Sequence, residues 1–310
     1  MKRCGLIIIL SLLMCGSAYA KITIGISIPT ADHGWTGGIV WWAEQAIKEL
    51  EAQYPQVEFV LVKADNYVAQ NADIEEMLNQ GITGLVILPH NPPHLANILR
   101  KVQGSEVFIV IVDRNAPSLV SDIYIAGDNY HLGRLCAEYL VKDIRGKGDI
   151  VVMEGIPCEV NTLRVQGFMD VIANYPDIRV LDSQPAYWSE EKGFELMDYY
   201  LSTFPKIDAV WSGDDDVLEG ALSAYRESGR NDVRRMLGGG GSKNIVKMIL
   251  DNDPLVHATV TYPPQMIHEG IYMAIGHLIN QKEYDKRVIT PSMLVTKENA
   301  SEYYFPDSIY

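Results

Sequence analysis

Hydrophobic positions change their period repeatedly along this chain. Ile22, Ile24, Ile26 and Ile28 alternate with small or polar residues, the pattern of a strand. Ile39, Trp42, Ala43, Ala46, Ile47 and Leu50 then recur at helical spacing until Pro55 interrupts them. Val57 to Val62 predicts a second strand. Ile74, Met77 and Leu78 mark a second helix closed by Gly81. Leu85 to Leu88 reads as a short buried strand and Leu95 to Val102 as a helix. Val107 to Val112 is continuously apolar, as a central parallel strand must be. Strands alternating with helices predict an α/β fold, with parallel sheets and right-handed crossovers.

The alternation restarts near Gly127. Gly127-Asp128-Asn129 opens a helix through Leu135, Cys136, Tyr139 and Leu140, and Ile150 to Met153 is a strand. Thr162 to Ala173 is helical, and Val180 lies near the centre of a strand. Ser189 caps a helix running to about Phe204. Ala209 to Ser212, a helix from Leu218 to Tyr225, a short strand before Gly238 to Gly241, a strand from His257 to Thr261, a helix from Met266 to Ile279 and a strand from Met293 to Thr296 complete the pattern. Two α/β units of similar size are expected, with no short-period repeat.

The first 20 residues break this pattern. Lys2 and Arg3 precede an apolar run from Leu6 to Met14, too short to cross a bilayer, and Ala18-Tyr19-Ala20 supplies small residues for cleavage. A secretory signal cleaved after Ala20 is expected, with export of a soluble mature chain. Cys15 raises a lipid anchor, but the bulky Met14 before it favours plain cleavage. The formal net charge of −14 falls to −16 without the two cations of the signal. Such a surface repels nucleic acid and anionic lipid. Cys136 and Cys158 remain, and their spacing alone does not decide between a disulfide and two separate thiols.

Polar residues gather where strands end. Ligands in open α/β sheets bind beyond the carboxyl ends of the strands. The loop after the first strand, Pro29 to Thr36, holds Asp32, His33 and Trp35. Asp65, His90, then Asp113 and Arg114 follow later strands, and the second unit adds Arg164 at a helix start, Trp188, Asp214 and Tyr262. Carboxylates accept hydroxyl hydrogens, a guanidinium donates along its fork, and an aromatic face covers the C–H side of a sugar ring. The set suits a neutral polyhydroxylated ligand. Each member also has a plain structural reading: Asp113-Arg114 as a local ion pair, Arg164 as a helix-surface cation, Trp188 as core.

Other chemistries find little support. There is no nucleophile elbow or HExxH motif, so no enzyme is expected. No His or Cys cluster has zinc spacing, and Gly238 to Gly241 lacks the Lys-Ser/Thr of a phosphate loop. Asp214-Asp215-Asp216 lacks the spacing of a calcium loop and reads as one binding Asp followed by acids at a helix N-terminus. Neither a metal nor a cofactor is expected.

The segments IVIVDRNAP, IAGDNYHLGRLCAEYL, RVQGF and AVWSGDDDVLEGAL, in this order, resemble the type I periplasmic sugar-binding proteins of ABC importers, the ribose, galactose and galactofuranose class. SIPTADHGWTGG is closer in shape to galactofuranose-binding relatives, and ENASEYYFPDS resembles a tail found in some members. The resemblance covers the mature chain. It implies two Rossmann-like lobes joined by a three-segment hinge: residues 21–126 plus 263–290, and 127–262 plus 291–310. It implies ligand contacts at Asp32, Trp35, Asp113, Arg114, Arg164, Trp188, Asp214 and Tyr262, with Trp188 stacking. An Asp common in relatives is absent from Gly238 to Gly241, Asp214 stands where Asn is frequent, and Tyr262 replaces a Gln of ribose binders. The implied function is capture of a neutral sugar or polyol by a monomer and its delivery to an ABC permease in the inner membrane. The alternative is presentation of the bound ligand to a membrane kinase or chemoreceptor. A regulator of the LacI type shares this core but carries a DNA-binding head where this chain has its signal segment.

Overall fold

A computed structural model describes residues 21–31, 34–115 and 120–310. The expected signal segment, Asp32 and His33 lie outside them. The first sheet holds β1 (Ile22–Pro29), β2 (Val57–Ala64), β3 (Gly84–Ile87), β4 (Phe108–Val112), β5 (Ile123–Gly127) and β11 (Arg287–Thr290). Its order is β11-β5-β4-β3-β1-β2, and every pairing in it is parallel.

The two-residue period of these strands sorts their side chains between two helical layers. Ile24, Ile26, Val86, Val110 and Val112 pack with Ile39 and Ala43 of α1 (Gly34–Gln53) and with Ile271 and Ala274 of α9 (Met266–Asn280). Leu85, Ile87, Ile109 and Ile111 turn the other way, onto Ile74 and Met77 of α2 (Tyr67–Asn79) and Leu95 and Leu99 of α3 (Pro92–Gly104). Burial on both faces explains the unbroken apolar runs.

The second sheet holds β6 (Gly148–Glu154), β7 (Ile178–Pro185), β8 (Ala209–Ser212) and β9 (Arg235–Leu237) in the order β7-β6-β8-β9, again parallel. One face packs on α4 (Asn129–Asp143) and α5 (Glu159–Ile172) through Leu132, Cys136 and Phe168. The other packs on α6 (Glu190–Thr203), α7 (Asp215–Ser228) and α8 (Lys243–Leu250) through Met197, Leu218 and Ile245. β10 (Ala258–Val260) and β12 (Leu294–Thr296) form a short antiparallel ladder beside this sheet. The chain passes between the sheets after β5, after β10 and after β11.

Ser189 accepts from Lys192 N at 3.3 Å and caps α6 as expected, and Gly81, with φ 79°, follows α2 in a left-handed turn. β5, β11 and α8 are elements the hydrophobic pattern did not indicate. No helix among the described residues is long and apolar enough to cross a membrane.

Candidate functional site

Asp113 follows β4 with φ 60°, a left-handed conformation that Asp tolerates better than most residues. Its N–H donates to Ile125 O at 2.8 Å and its carbonyl accepts from Tyr124 Oη at 2.8 Å. Both main-chain groups are thus committed to the sheet, and the carboxylate projects beyond the strand end. Tyr262, just after β10, donates its hydroxyl to Asp113 Oδ1 at 2.5 Å and accepts from Asn129 Nδ2 at 3.0 Å. Asn129 Oδ1 accepts from Arg164 Nε at 2.9 Å, and Arg164 Nη1 donates to Gly213 O at 2.7 Å. One chain of donors and acceptors therefore runs from the end of β4 in the first sheet to the end of β8 in the second. Asp113, Arg164 and Tyr262 are 7%, 4% and 2% exposed. At such burial an unpaired polar group costs about 1–3 kcal/mol, so the pairings hold one another in place.

Aromatic rings surround this chain. The Arg164 guanidinium lies 4.5 Å from the centre of the Tyr262 ring and 6.0 Å from that of Trp188. Tyr187 and Trp188 are both left-handed, with φ 59° and 56°. That pair of turns presses the indole against Gly155, where a Cβ would come 1.9 Å from Trp188 Nε1. Gly155 is held by its own N–H, which donates to Asn161 Oδ1 at 2.7 Å. Trp35, in the first turn of α1, donates its indole N–H to Tyr262 O at 2.9 Å, with the two rings 5.8 Å apart. Gly127 makes room for Tyr262, since a Cβ there would meet its ring at 2.2 Å.

Three carboxylates enter from α7. Asp214 is its N-cap and accepts from Asp216 N at 2.9 Å. Burial, then the neighbouring Asp216 charge, raises the Asp214 pKa well above the ordinary value. Asp215 is fully buried and accepts from Gly241 N and Ser242 N, both at 2.8 Å, and from Thr259 Oγ1 at 3.0 Å. Burial pushes its pKa up to about 6. Asp216 Oδ2 accepts from Gly34 N, the start of α1, at 2.8 Å, which ties the first unit to the second. Burial raises the pKa of Asp216 too. Asp215 and Asp216 therefore bond specific partners within the interior, where the sequence suggested only acids favoured by the helix dipole.

Of the residues named from sequence, Trp35, Asp113, Arg164, Trp188 and Tyr262 form one group, and Asp214 adjoins it through Gly213. Arg164 sits in the second turn of α5, because that helix starts at Glu159, three residues earlier than the apolar pattern indicated. Arg114 lies at the margin, half-buried, with Nε 4.0 Å from Asp113 Oδ2. That is the outer limit of an ion pair, and the principal partner of Asp113 is Tyr262. Asp32 lies outside the described residues. Asn129, Asn161 and Tyr310 were not indicated. Asn129 lies inside the motif IAGDNYHLGRLCAEYL but reads there as an ordinary helix start.

The described cysteines are free thiols: Cys136 is buried, with its pKa pushed up to about 12 by burial, and Cys158 is exposed. Among the described residues no group of His, Cys, Asp and Glu is arranged to hold a metal ion.

Known proteins carry the same architecture. The family described as periplasmic binding protein domain matches residues 24–283. The ribose import binding protein of Bacillus subtilis is 26% identical over 90% of this chain and 88% of its own. The galactofuranose-binding protein of Escherichia coli is 25% identical over 91% of this chain and 90% of its own. Among solved structures, the periplasmic binding protein of the arabinose ABC transporter from Shewanella sp. ANA-3, bound to L-arabinofuranose, superposes with a TM-score of 0.80 at 25% identity. That match covers 91% of this chain and 94% of the other. With its two parallel sheets and the polar chain that joins their strand ends, the chain belongs to the periplasmic binding protein domain family.

Proposed function

We propose that this protein captures a neutral sugar or polyol in the crevice between its two sheets and delivers it to an ABC permease in the inner membrane. The carrying observation is the buried chain Asp113–Tyr262–Asn129–Arg164–Gly213. It joins the two strand ends through groups that accept and donate hydrogen bonds, and aromatic rings flank it. Two acceptor-rich carboxylates, Asp113 and Asp214, beside one guanidinium match hydroxyls better than an anion. Trp188 offers the apolar face that a sugar ring requires. Arg114, half-buried at the margin of the group, and Asp32 complete the contact set in this reading. Relatives whose names specify import of ribose and binding of galactofuranose support the ligand class and the transport role.

The sheet membership of β5 and β11 supports a division into residues 21–126 plus 263–290 and residues 127–262 plus 291–310. The protein works as a periplasmic monomer after cleavage at Ala20, and its ligand leaves chemically unchanged. A thermal-shift screen across pentoses, hexoses and polyols tests the reading. At least one must raise the melting temperature by mass action. If none does, the ligand class is wrong.

A further inference from the structure

Asp113 and Asp214 follow β4 and β8, but β9 is followed by Gly238 to Gly241, which offer no polar side chain. Another part of the chain comes to that place. Residues 303–310 leave the second unit and run along α1 of the first. Phe305 meets Trp42 edge-on at 5.3 Å. Ile309 lies over Gly37, where a Cβ would come 2.6 Å from its Cδ1. The buried Ser308 carbonyl accepts from Lys243 Nζ, and Ser308 Oγ accepts from Tyr310 N at 3.2 Å. These contacts drive Tyr310 inward between Gly34, Gly38 and Pro264.

Its hydroxyl then rests against the end of β9. A Cβ on Gly240 would lie 2.1 Å from Tyr310 Oη, so glycine at 240 is what admits the phenol. Gly240 O accepts from Tyr262 N at 2.8 Å, so the backbone beside this hydroxyl is tied to that of Tyr262. Tyr310 is 6% exposed, and its hydroxyl has no hydrogen-bond partner among the described residues. Burial, and then the carboxylates of Asp214, Asp215 and Asp216, hold its pKa well above the ordinary phenol value, while Arg164 acts weakly the other way. It therefore remains a neutral O–H at every physiological pH. A buried hydroxyl left without a partner is destabilising, and the folded chain retains this one at a cost.

We propose that Tyr310 is a specificity-determining contact of the sugar site: its hydroxyl, carried in by the tail, donates to a ligand oxygen at the end of β9. The inference rests on the sugar-binding reading above. It accounts together for the glycine at 240, the packing of the tail on α1 and the unpaired hydroxyl. A tail serving only as a strap requires the ring but not the oxygen.

The test is titration calorimetry of the full chain and of Tyr310→Phe with D-ribose, L-arabinose, D-allose, myo-inositol and xylitol, alongside the melting temperature of each protein without sugar. Phe keeps the ring and removes the oxygen. The expected result is an affinity about tenfold weaker or more for the sugar that the wild type binds best, with a sugar-free melting temperature equal to or above that of the wild type. A lower sugar-free melting temperature with unchanged affinity makes Tyr310 a structural residue and overturns the inference. An unchanged affinity with an unchanged melting temperature also overturns it, and assigns the hydroxyl to a trapped water. If the wild type binds none of the five and no pentose, hexose or polyol raises its melting temperature, the sugar reading fails and this inference fails with it.

Discussion

Tyr262 is the residue on which the site turns. Its hydroxyl serves Asp113 and Asn129 together, its ring underlies Arg164, and its carbonyl accepts the Trp35 indole. Removing only that oxygen leaves two buried partners unsatisfied. Tyr262→Phe is expected to lower folding stability by about 1–3 kcal/mol, measured by urea unfolding. A loss below a few tenths would mean that Asp113 and Asn129 re-pair without it. Arg164→Ala should abolish sugar binding, with at least a hundredfold loss of affinity and an unchanged far-ultraviolet dichroism spectrum. Unchanged affinity would remove Arg164 from the site. Arg164 and Asp113 were legible because they stand in family-like segments and beside strand ends. Asn129 and Tyr310 were not. Asn129 meets Tyr262 across 133 positions of sequence, and Tyr310 reaches Gly240 only because the tail folds back over α1. No local pattern encodes either meeting.

At the scale of elements, the start of α7 concentrates buried acid. Asp214 and Asp216 titrate above the ordinary carboxylate range, Asp215 near 6, and Glu219, one turn later, near 7, all chiefly through burial. A carboxyl with a raised folded-state pKa binds its proton more tightly in the native chain. Its contribution is fully present below the unfolded pKa and is lost as pH rises through the folded one. The melting temperature of the sugar-free protein should therefore rise by a few degrees, roughly, as pH falls from 7.5 to 5. His257, whose pKa burial lowers, opposes this as a single group. The acids held low by partners, such as Asp232 beside Arg230, are ionised in both states across that window. A melting temperature that falls on acidification would show these carboxylates to be less buried than described.

Elements also set the limit of what sequence revealed. β4 and the centre of β6, Ile150 to Met153, announce themselves, since strand segments buried on both faces are apolar. β11 reads Arg-Val-Ile-Thr, lies at a sheet edge and pairs only with β5, more than 150 positions earlier in the chain. An edge strand with one covered face carries half the signal, and its partner is remote. α8 is only eight residues long, and β5 only five. Such short elements take their form from the sheet and helices that receive them, and little of that is local.

At the scale of the molecule, the two units share one apolar core, and chemically specific polar contacts add to it. Gly34 N donates to Asp216 Oδ2 between the units, and residues 303–310 bind both of them. Two lobes that close on a ligand exchange such contacts as the hinge moves. Asp216→Ala removes the acceptor and should speed sugar release several-fold with little change in association rate, read by stopped-flow tryptophan fluorescence. Equal dissociation rates would show that this bond plays no part in holding the lobes together. The central claim is that one neutral polyol is gripped between the two strand ends. Titration of the wild-type chain with the sugar that most raises its melting temperature tests it directly. The account predicts saturable binding of one molecule per chain, insensitive to salt because no net charge is captured, and lost in Arg164→Ala. Binding that weakens steeply with salt, or that persists in Arg164→Ala, would contradict it.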